Sequence, residues 1–380
     1  MIRLALALVL AAAPLSSAGA QGLGPAGELA GSYRNLFAVT RDSRDKVILT
    51  DFNRLRLSLQ GAAGAWSWRI TYDHELAAGG FVESPDFAPV EAIPEPTALD
   101  ATDAIAGGER FEWRQRLYRA VLAYDWGGGQ LSVGRQRIAW GSGRLWNPTD
   151  RFNPVAPTAI EPEEKTGVDS LTGELRFGQF GALQGVAAPE REGRNVRRKL
   201  ALRWRDTVGE LDYALLGGRI GDETVLGLDL AANLWQGGIR LEALVGRPET
   251  GGRYAQLAAG YDYTLATALF PAGLYLLAEY FYNGAALGGP LPLLPSDRLE
   301  SRNGHFLGLS AGYDLTPLWR LDGLVIWDLT GSSLFFSPQL TWSASAAIDV
   351  SLFAQVFAGD RTSEFGAFEN AIFLRLELFF

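Results

Sequence analysis

The chain has no cysteine, which excludes a disulfide framework, a thiolate metal site and a cysteine nucleophile. Histidine is almost as scarce, with only His74 and His305. Lysine occurs only at 46, 165 and 199, so arginine supplies nearly all the positive charge. Beyond the N-terminus no stretch approaches the roughly 20 consecutive apolar residues of a membrane-spanning helix. That absence excludes a helical membrane protein, although 47% of the residues are hydrophobic. A net charge of −9 argues against nucleic acid as a partner.

What is present is alternation. Across residues 368–380, Ile372, Leu374, Leu376, Leu378 and Phe380 share one face, and Glu369, Ala371, Phe373, Arg375, Glu377 and Phe379 share the other. A period of two with one apolar and one charged face suits a strand between lipid and a wet interior. At the other end, Arg3, an apolar run over 4–13 and Ala18-Gly19-Ala20 predict a signal peptide over 1–20. One barrel domain over 21–380 would follow it. The 45 Gly, 11 Trp and 12 Tyr fit many tight turns and interfacial aromatic girdles.

Reading alternation between turn signals predicts an all-β fold, a transmembrane antiparallel β-barrel of about eighteen strands, with sixteen or twenty also open. The expected strands are 31–41, 50–61, 66–78, 112–125, 130–141, 169–179, 182–190, 196–208 and 209–221 in the first half. They continue at 224–236, 237–250, 252–265, 273–284, 305–317, 319–331, 334–345, 348–360 and 368–380. The long connections, 79–110, 142–167 and 285–304, all fall at odd positions, so they share one end of the barrel. If both termini are periplasmic, that end is extracellular.

Alternation predicts inward basic residues in the first eight strands: Arg34, Arg54, Arg56, Arg69, Arg119, Arg176, Arg197, Lys199, Arg203 and Arg205. Arg135 and Arg137 join them if Gly134 marks a bulge. From the tenth strand the inward list turns acidic, with Asp229, Glu242, Asp262, Glu279, Asp314, Asp322 and Asp349. Unpaired charges this dense cannot lie in a dry core, so the interior is wet or closely ion-paired. Opposed basic and acidic walls would carry a transverse field that orients dipolar solutes and sorts ions; the alternative is that the walls pair through a loop and fill the barrel. Both histidines fall on outward faces, leaving no constellation for a barrel hydrolase and no N/S metal site. No enzyme activity, cofactor or metal is expected.

The most specific local sequence is W-G-x-G-x-x-W-N-P-x-D-x-x-N-P over 140–154, preceded by Gly134-Arg135-Gln136-Arg137-Ile138-Ala139. Asn-Pro at 147 and 153 initiates turns, and Asp150 can cap the backbone between them, which makes a compact loop. A functional reading places Trp140, Arg144, Trp146, Asn147, Asp150 and Arg151 at a constriction; a structural one makes them a latch against the wall.

The chain resembles Gram-negative porins in overall plan, and its closest analogues are the specific porins and alginate-export-like barrels. In porins the third extracellular loop folds inward and narrows the channel, which is what the resemblance implies for 142–167. The motif also resembles that of a family of Gram-negative outer-membrane proteins that carry G-R-Q-R-I-x-W-G, then W-N-P-x-D, then an acidic stretch, here 161–169. The final strand resembles the last strand of outer-membrane barrels, whose terminal aromatic, here Phe380, is an assembly signal. These resemblances imply outer-membrane lipid, lipopolysaccharide and the barrel assembly machinery as surroundings, and small polar or charged solutes as cargo. An occluded barrel serving an envelope or lipid transport system is the alternative, and the oligomeric state is left open.

Overall fold

A computed structural model describes residues 21–22, 27–91, 97–162, 167–192, 195–291 and 296–380. The expected signal peptide over 1–20 lies outside the described residues, as do 163–166 in the acidic stretch.

The alternating segments form eighteen barrel strands. The first nine are β1 Glu28–Arg41, β2 Val47–Ala63, β3 Trp66–Gly79, β4 Phe111–Asp125, β5 Gly129–Gln136, β6 Val168–Phe177, β7 Gly181–Glu192, β8 Asn195–Val208 and β9 Leu211–Ile220. The second nine are β10 Glu223–Leu234, β11 Gly237–Pro248, β12 Tyr254–Leu265, β13 Leu274–Asn283, β14 His305–Thr316, β15 Trp319–Asp328, β16 Ser333–Ser345, β17 Ile348–Ala358 and β18 Ala371–Phe379. Each pairs antiparallel with its sequence neighbours.

Closure comes from β1 pairing with β18, Ser32 opposite Phe379 through Val39 opposite Ile372. Phe380 extends the seam by exchanging two backbone hydrogen bonds with Gly31, at 2.7 and 3.0 Å. Pairing β1 with β18 removes the two free edges an open eighteen-strand sheet would have, the condition for strands to sit in lipid. The even strand count puts both barrel ends at one rim, where most connections are tight turns. Connections 80–110, 137–167 and 284–304 all lie at the opposite rim.

Alternation decides what each face meets. Leu200, Leu202, Leu215, Leu226, Val245, Leu309 and Leu352 form part of an exposed apolar belt on the outside. Exposed Trp66, Tyr124, Trp126, Trp235, Trp319 and Trp342 lie near the short-turn rim, as an interfacial aromatic girdle requires. His74 packs beside Tyr72 and Trp113, and His305 beside Tyr280 and Tyr282, so both histidines belong to the outer face.

Three features depart from simple alternation. The fifth strand stops at Gln136 rather than 141, because the chain turns inward there. The last strand begins at Ala371 rather than 368, after a loop packed on its neighbours. Connection 80–110 is also structured: it carries α1 Gly80–Glu83, α2 Phe87–Glu91 and an added strand, Thr102–Gly108, hydrogen-bonded to the upper half of β4.

Candidate functional site

The short β5 leaves a gap in the wall through which 137–167 enters the lumen. Connection 80–110 covers it: Thr102–Gly108 occupies the place beside β4 above β5, and the Thr97 carbonyl accepts from the Arg191 N–H of β7 at 3.3 Å. Arg135 clamps the repair. Its guanidinium donates to Asp169 of β6 at 2.9 Å, to the Leu117 carbonyl at 3.0 Å and to the Leu99 carbonyl, while Asp169 accepts from the Leu99 N–H at 2.8 Å. Burial of this arginine is tolerated because Asp169 and the Leu117 and Leu99 carbonyls aim acceptors at its fork.

Once inside, the third loop is held by carboxylates of the acidic wall. Glu242 of β11, 1% exposed, accepts from the Gly143 N–H at 2.7 Å, the Thr149 N–H at 3.1 Å and the Thr149 hydroxyl at 2.6 Å. Glu279 of β13, also 1% exposed, accepts from the N–H groups of Arg144 at 2.9 Å, Leu145 at 3.1 Å and Trp146 at 2.7 Å. Asp229 of β10 takes the Ser142 hydroxyl. Three donors on each glutamate replace its lost hydration. Gly141, at φ +95°, lies so close that a Cβ there would meet a Glu242 oxygen at 2.5 Å.

The rest of the loop packs through apolar and paired polar side chains. Ile138, Trp140 and Phe152 join inward apolar residues of β7–β12, and Trp146 stacks on Phe281 with centroids 5.4 Å apart. The Trp140 indole donates to Gln184 at 2.7 Å. Arg151 donates to Tyr254 at 2.8 Å and to Glu223 at 2.7 Å, and Glu223 also holds Arg298 of connection 284–304 at 2.8 Å. Asp150 caps the turn by accepting from the Asn153 N–H at 3.0 Å, and the Asn147 carbonyl accepts from the Asp150 N–H at 3.0 Å. Of the six motif residues, only Arg144 is largely exposed; it reaches Asp262 at 3.5 Å. Farther along, the Thr158 carbonyl accepts from Gln355 of β17 at 2.9 Å, and Glu161 binds Arg54 at 3.0 Å and also Arg34.

With the loop against the acidic wall, open space remains along β1–β5. A cavity of about 430 Å³ toward the long-loop rim is lined by Arg34, Arg54, Glu75, Arg114 and Glu161, with Phe52, Phe81 and Phe87 on its apolar side. A cavity of about 790 Å³ toward the short-turn rim is lined by Gln60, Ser67, Arg69, Arg119, Gln136 and Arg137. Between them is a neck. Arg56 makes a bidentate pair with buried Asp73, both contacts 2.7 Å, and lies over the Tyr118 ring at 3.7 Å. Arg116 reaches Glu75 at 2.7 Å and Asp73 at 3.7 Å, and Arg119 lies over the other part of Tyr118 at 4.1 Å.

Tyr118 is the residue that alternation misses. It is the extra residue of a bulge where Thr71 opposes Arg119 and Tyr72 opposes Leu117, which brings Arg114 and Arg116 inward with Arg119 despite their opposite parity. The three-residue step from Arg116 to Arg119 was the available signal.

The other expected lumen residues form two groups. At the short-turn end Arg176 pairs with Asp125 at 2.9 Å, Arg205 with Glu174 at 3.2 Å, and Arg320 with Asp314 at 3.0 Å and Asp322 at 2.9 Å. Arg203 reaches Asp229 at 3.4 Å, and Asp262 also holds Arg240. Toward the long-loop rim Lys199 is held by Glu190 at 3.0 Å and Asp297 at 2.5 Å, and Arg197 by Asp297 at 3.3 Å. Asp349 is half-buried opposite Glu377. Among the described residues no group of histidine and carboxylate side chains is arranged to hold a metal ion.

No protein-family model matches the chain, and a comparison with curated proteins finds no match. Solved structures do match. Pseudomonas aeruginosa OccK8 (OprE) superposes with a TM-score of 0.61 at 10% identity, over 93% of this chain and 98% of that one. OccK5 (OpdH) gives 0.59 at 10% identity, and OpdK solved with vanillate 0.58 at 9%, with the same coverage of both chains. The fold is that of the OccK porins. At these identities the likeness is one of architecture: a closed antiparallel porin barrel.

Proposed function

We propose that the chain is an outer-membrane channel for the passive, selective passage of small polar or charged solutes, with its long loops outside the cell and both termini in the periplasm. One observation carries this reading: the cavities of about 430 and 790 Å³ lie in line on the β1–β5 wall, above and below one arginine neck. The third loop occupies much of the remaining interior, leaving smaller spaces of about 340 Å³ beside Arg203, Arg205 and Asp229 and about 180 Å³ beside Asp322, Gln339 and Arg375, so a solute follows the wider path along the basic wall. Arg34, Arg54 and Arg114, set among Glu75, Glu112 and Glu161, can turn donors toward a carboxylate, while Phe52, Phe81 and Phe87 offer apolar surface to the rest of the solute. That combination favours a small organic anion with an apolar or aromatic body. OpdK, of the same architecture, has been solved with vanillate, a molecule of that description.

Lipid bilayer recording tests the proposal. Folded protein should give discrete ion-conducting steps, and a benzoate-type anion added on the long-loop side should reduce the chloride current. A folded sample without conductance would support an occluded barrel instead.

A further inference from the structure

The outer surface near the long-loop rim is not uniform. Across β7–β12 five arginines, Arg191, Arg198, Arg219, Arg247 and Arg253, are exposed. Alternation sets the first four outward: Arg191 continues the face of exposed Pro189 on β7, and on β8, β9 and β11 the others continue the files of Leu200, Leu215 and Val245, each about half exposed. Arg219 and Arg247 flank Thr224 in one register row, and Arg253 immediately precedes Tyr254, which pairs with Gly246.

Among the described residues, Arg219 alone of the five has an ion-pair partner, the equally exposed Glu249 of the same rim. Exposed Asp222 is the other described acid in these connections. The basic excess therefore stands on the outside of the barrel, where it contributes nothing to the lumen. On the adjoining strands β13–β16 the corresponding positions carry Tyr280, Tyr282, His305, Trp327 and Phe336. Ordinary interfacial chemistry is thus met there by aromatic residues, and the arginine stripe is a local addition.

We propose that this stripe and the leucines beneath it form a docking surface for a phosphorylated glycolipid of the outer leaflet, of lipopolysaccharide type. Guanidinium groups bind phosphate through paired N–H donors, and the strand spacing spreads them over roughly 20–25 Å, wide enough for a headgroup bearing more than one phosphate. Directly below, exposed Leu200, Leu202, Leu215, Leu226 and Val245 give acyl chains a continuous apolar field. An acidic protein partner would use the arginines but leave that field uncovered; a lipid uses both at once. The assignment to the outer leaflet rests on the proposed orientation, with the long loops outside the cell.

Native mass spectrometry of the folded, detergent-purified barrel tests it, with bisphosphorylated lipid A, its dephosphorylated counterpart and phosphatidylglycerol as probes. Wild type should retain bisphosphorylated lipid A in preference to both. The combined Arg198→Ala, Arg219→Ala, Arg247→Ala variant should lose at least about tenfold of that retention. Arg41→Ala, at the same rim on β1, should leave retention unchanged. Equal retention by the triple variant, or equal retention of phosphatidylglycerol, overturns the proposal. The triple variant should keep the heat-modifiable migration and thermal midpoint of wild type, which report that it has folded whether or not the barrel conducts. A barrel that binds lipid A but never conducts would defeat the channel reading and leave this one standing; a conducting barrel indifferent to the arginines would do the reverse.

Discussion

Glu242 and Glu279 each bind three donors of the third loop, and their value lies in what their removal strands. Glu279→Ala leaves the Arg144, Leu145 and Trp146 N–H groups without their acceptor in a closely packed region, each such loss costing roughly 1–3 kcal/mol. The loop should then detach intermittently. Single-channel records of Glu279→Ala should show larger, noisier conductance levels and a lower thermal midpoint than wild type, with Glu279→Gln intermediate because its amide keeps one acceptor oxygen. Unchanged records would mean that packing around Trp140 and Trp146 alone holds the loop. Tyr118 makes the opposite case, a side chain that narrows open space. Tyr118→Ala removes the ring under Arg56 and Arg119 and should raise conductance while the loop stays docked. A fall or no change would move the neck elsewhere.

Among the elements, strands were legible and loops were not. A period of two identifies each strand and its inward face, which is why eighteen segments and the β1–β18 seam follow from the residues. It does not say what the inward face meets. Glu242 and Glu279 carry the same signature as Glu75, which lines the open cavity, yet they meet loop backbone. Likewise Arg135 sits in the wall rather than the lumen because the fifth strand stops early and residues 97–108 patch the gap, a relation between segments that local alternation cannot encode. Loop against loop, Glu364 of 359–370 accepts from the Arg302 and Asn303 N–H groups of 284–304 at 2.7 and 3.1 Å. Burial pushes its carboxyl up to about 7, against the lowering effect of those two donors. A carboxyl raised in the folded state contributes stability that is fully present below its unfolded value, near 4.5, and is lost as pH rises through about 7. Amide exchange at 302 and 303 should therefore quicken between pH 5 and 8 beyond the intrinsic rate (windows of roughly this width follow from linkage), and Glu364→Gln should abolish the excess. An excess that survives the substitution would assign the pH dependence to another group.

For the whole molecule, the division of labour between walls is the main result. Acidic residues of β10–β13 anchor the inward loop, basic residues of β1–β5 border the remaining space, and outward arginines of β7–β12 mark one side of the exterior. On the proposed function, ions and solutes follow the basic wall. Reversal potential across a bilayer separating unequal KCl concentrations measures it most directly. Arg54→Glu together with Arg114→Glu should shift the reversal potential toward cation preference, while Arg205→Glu, on β8 near the short-turn end, should shift it far less. Identical reversal potentials in wild type and the double variant would contradict the account.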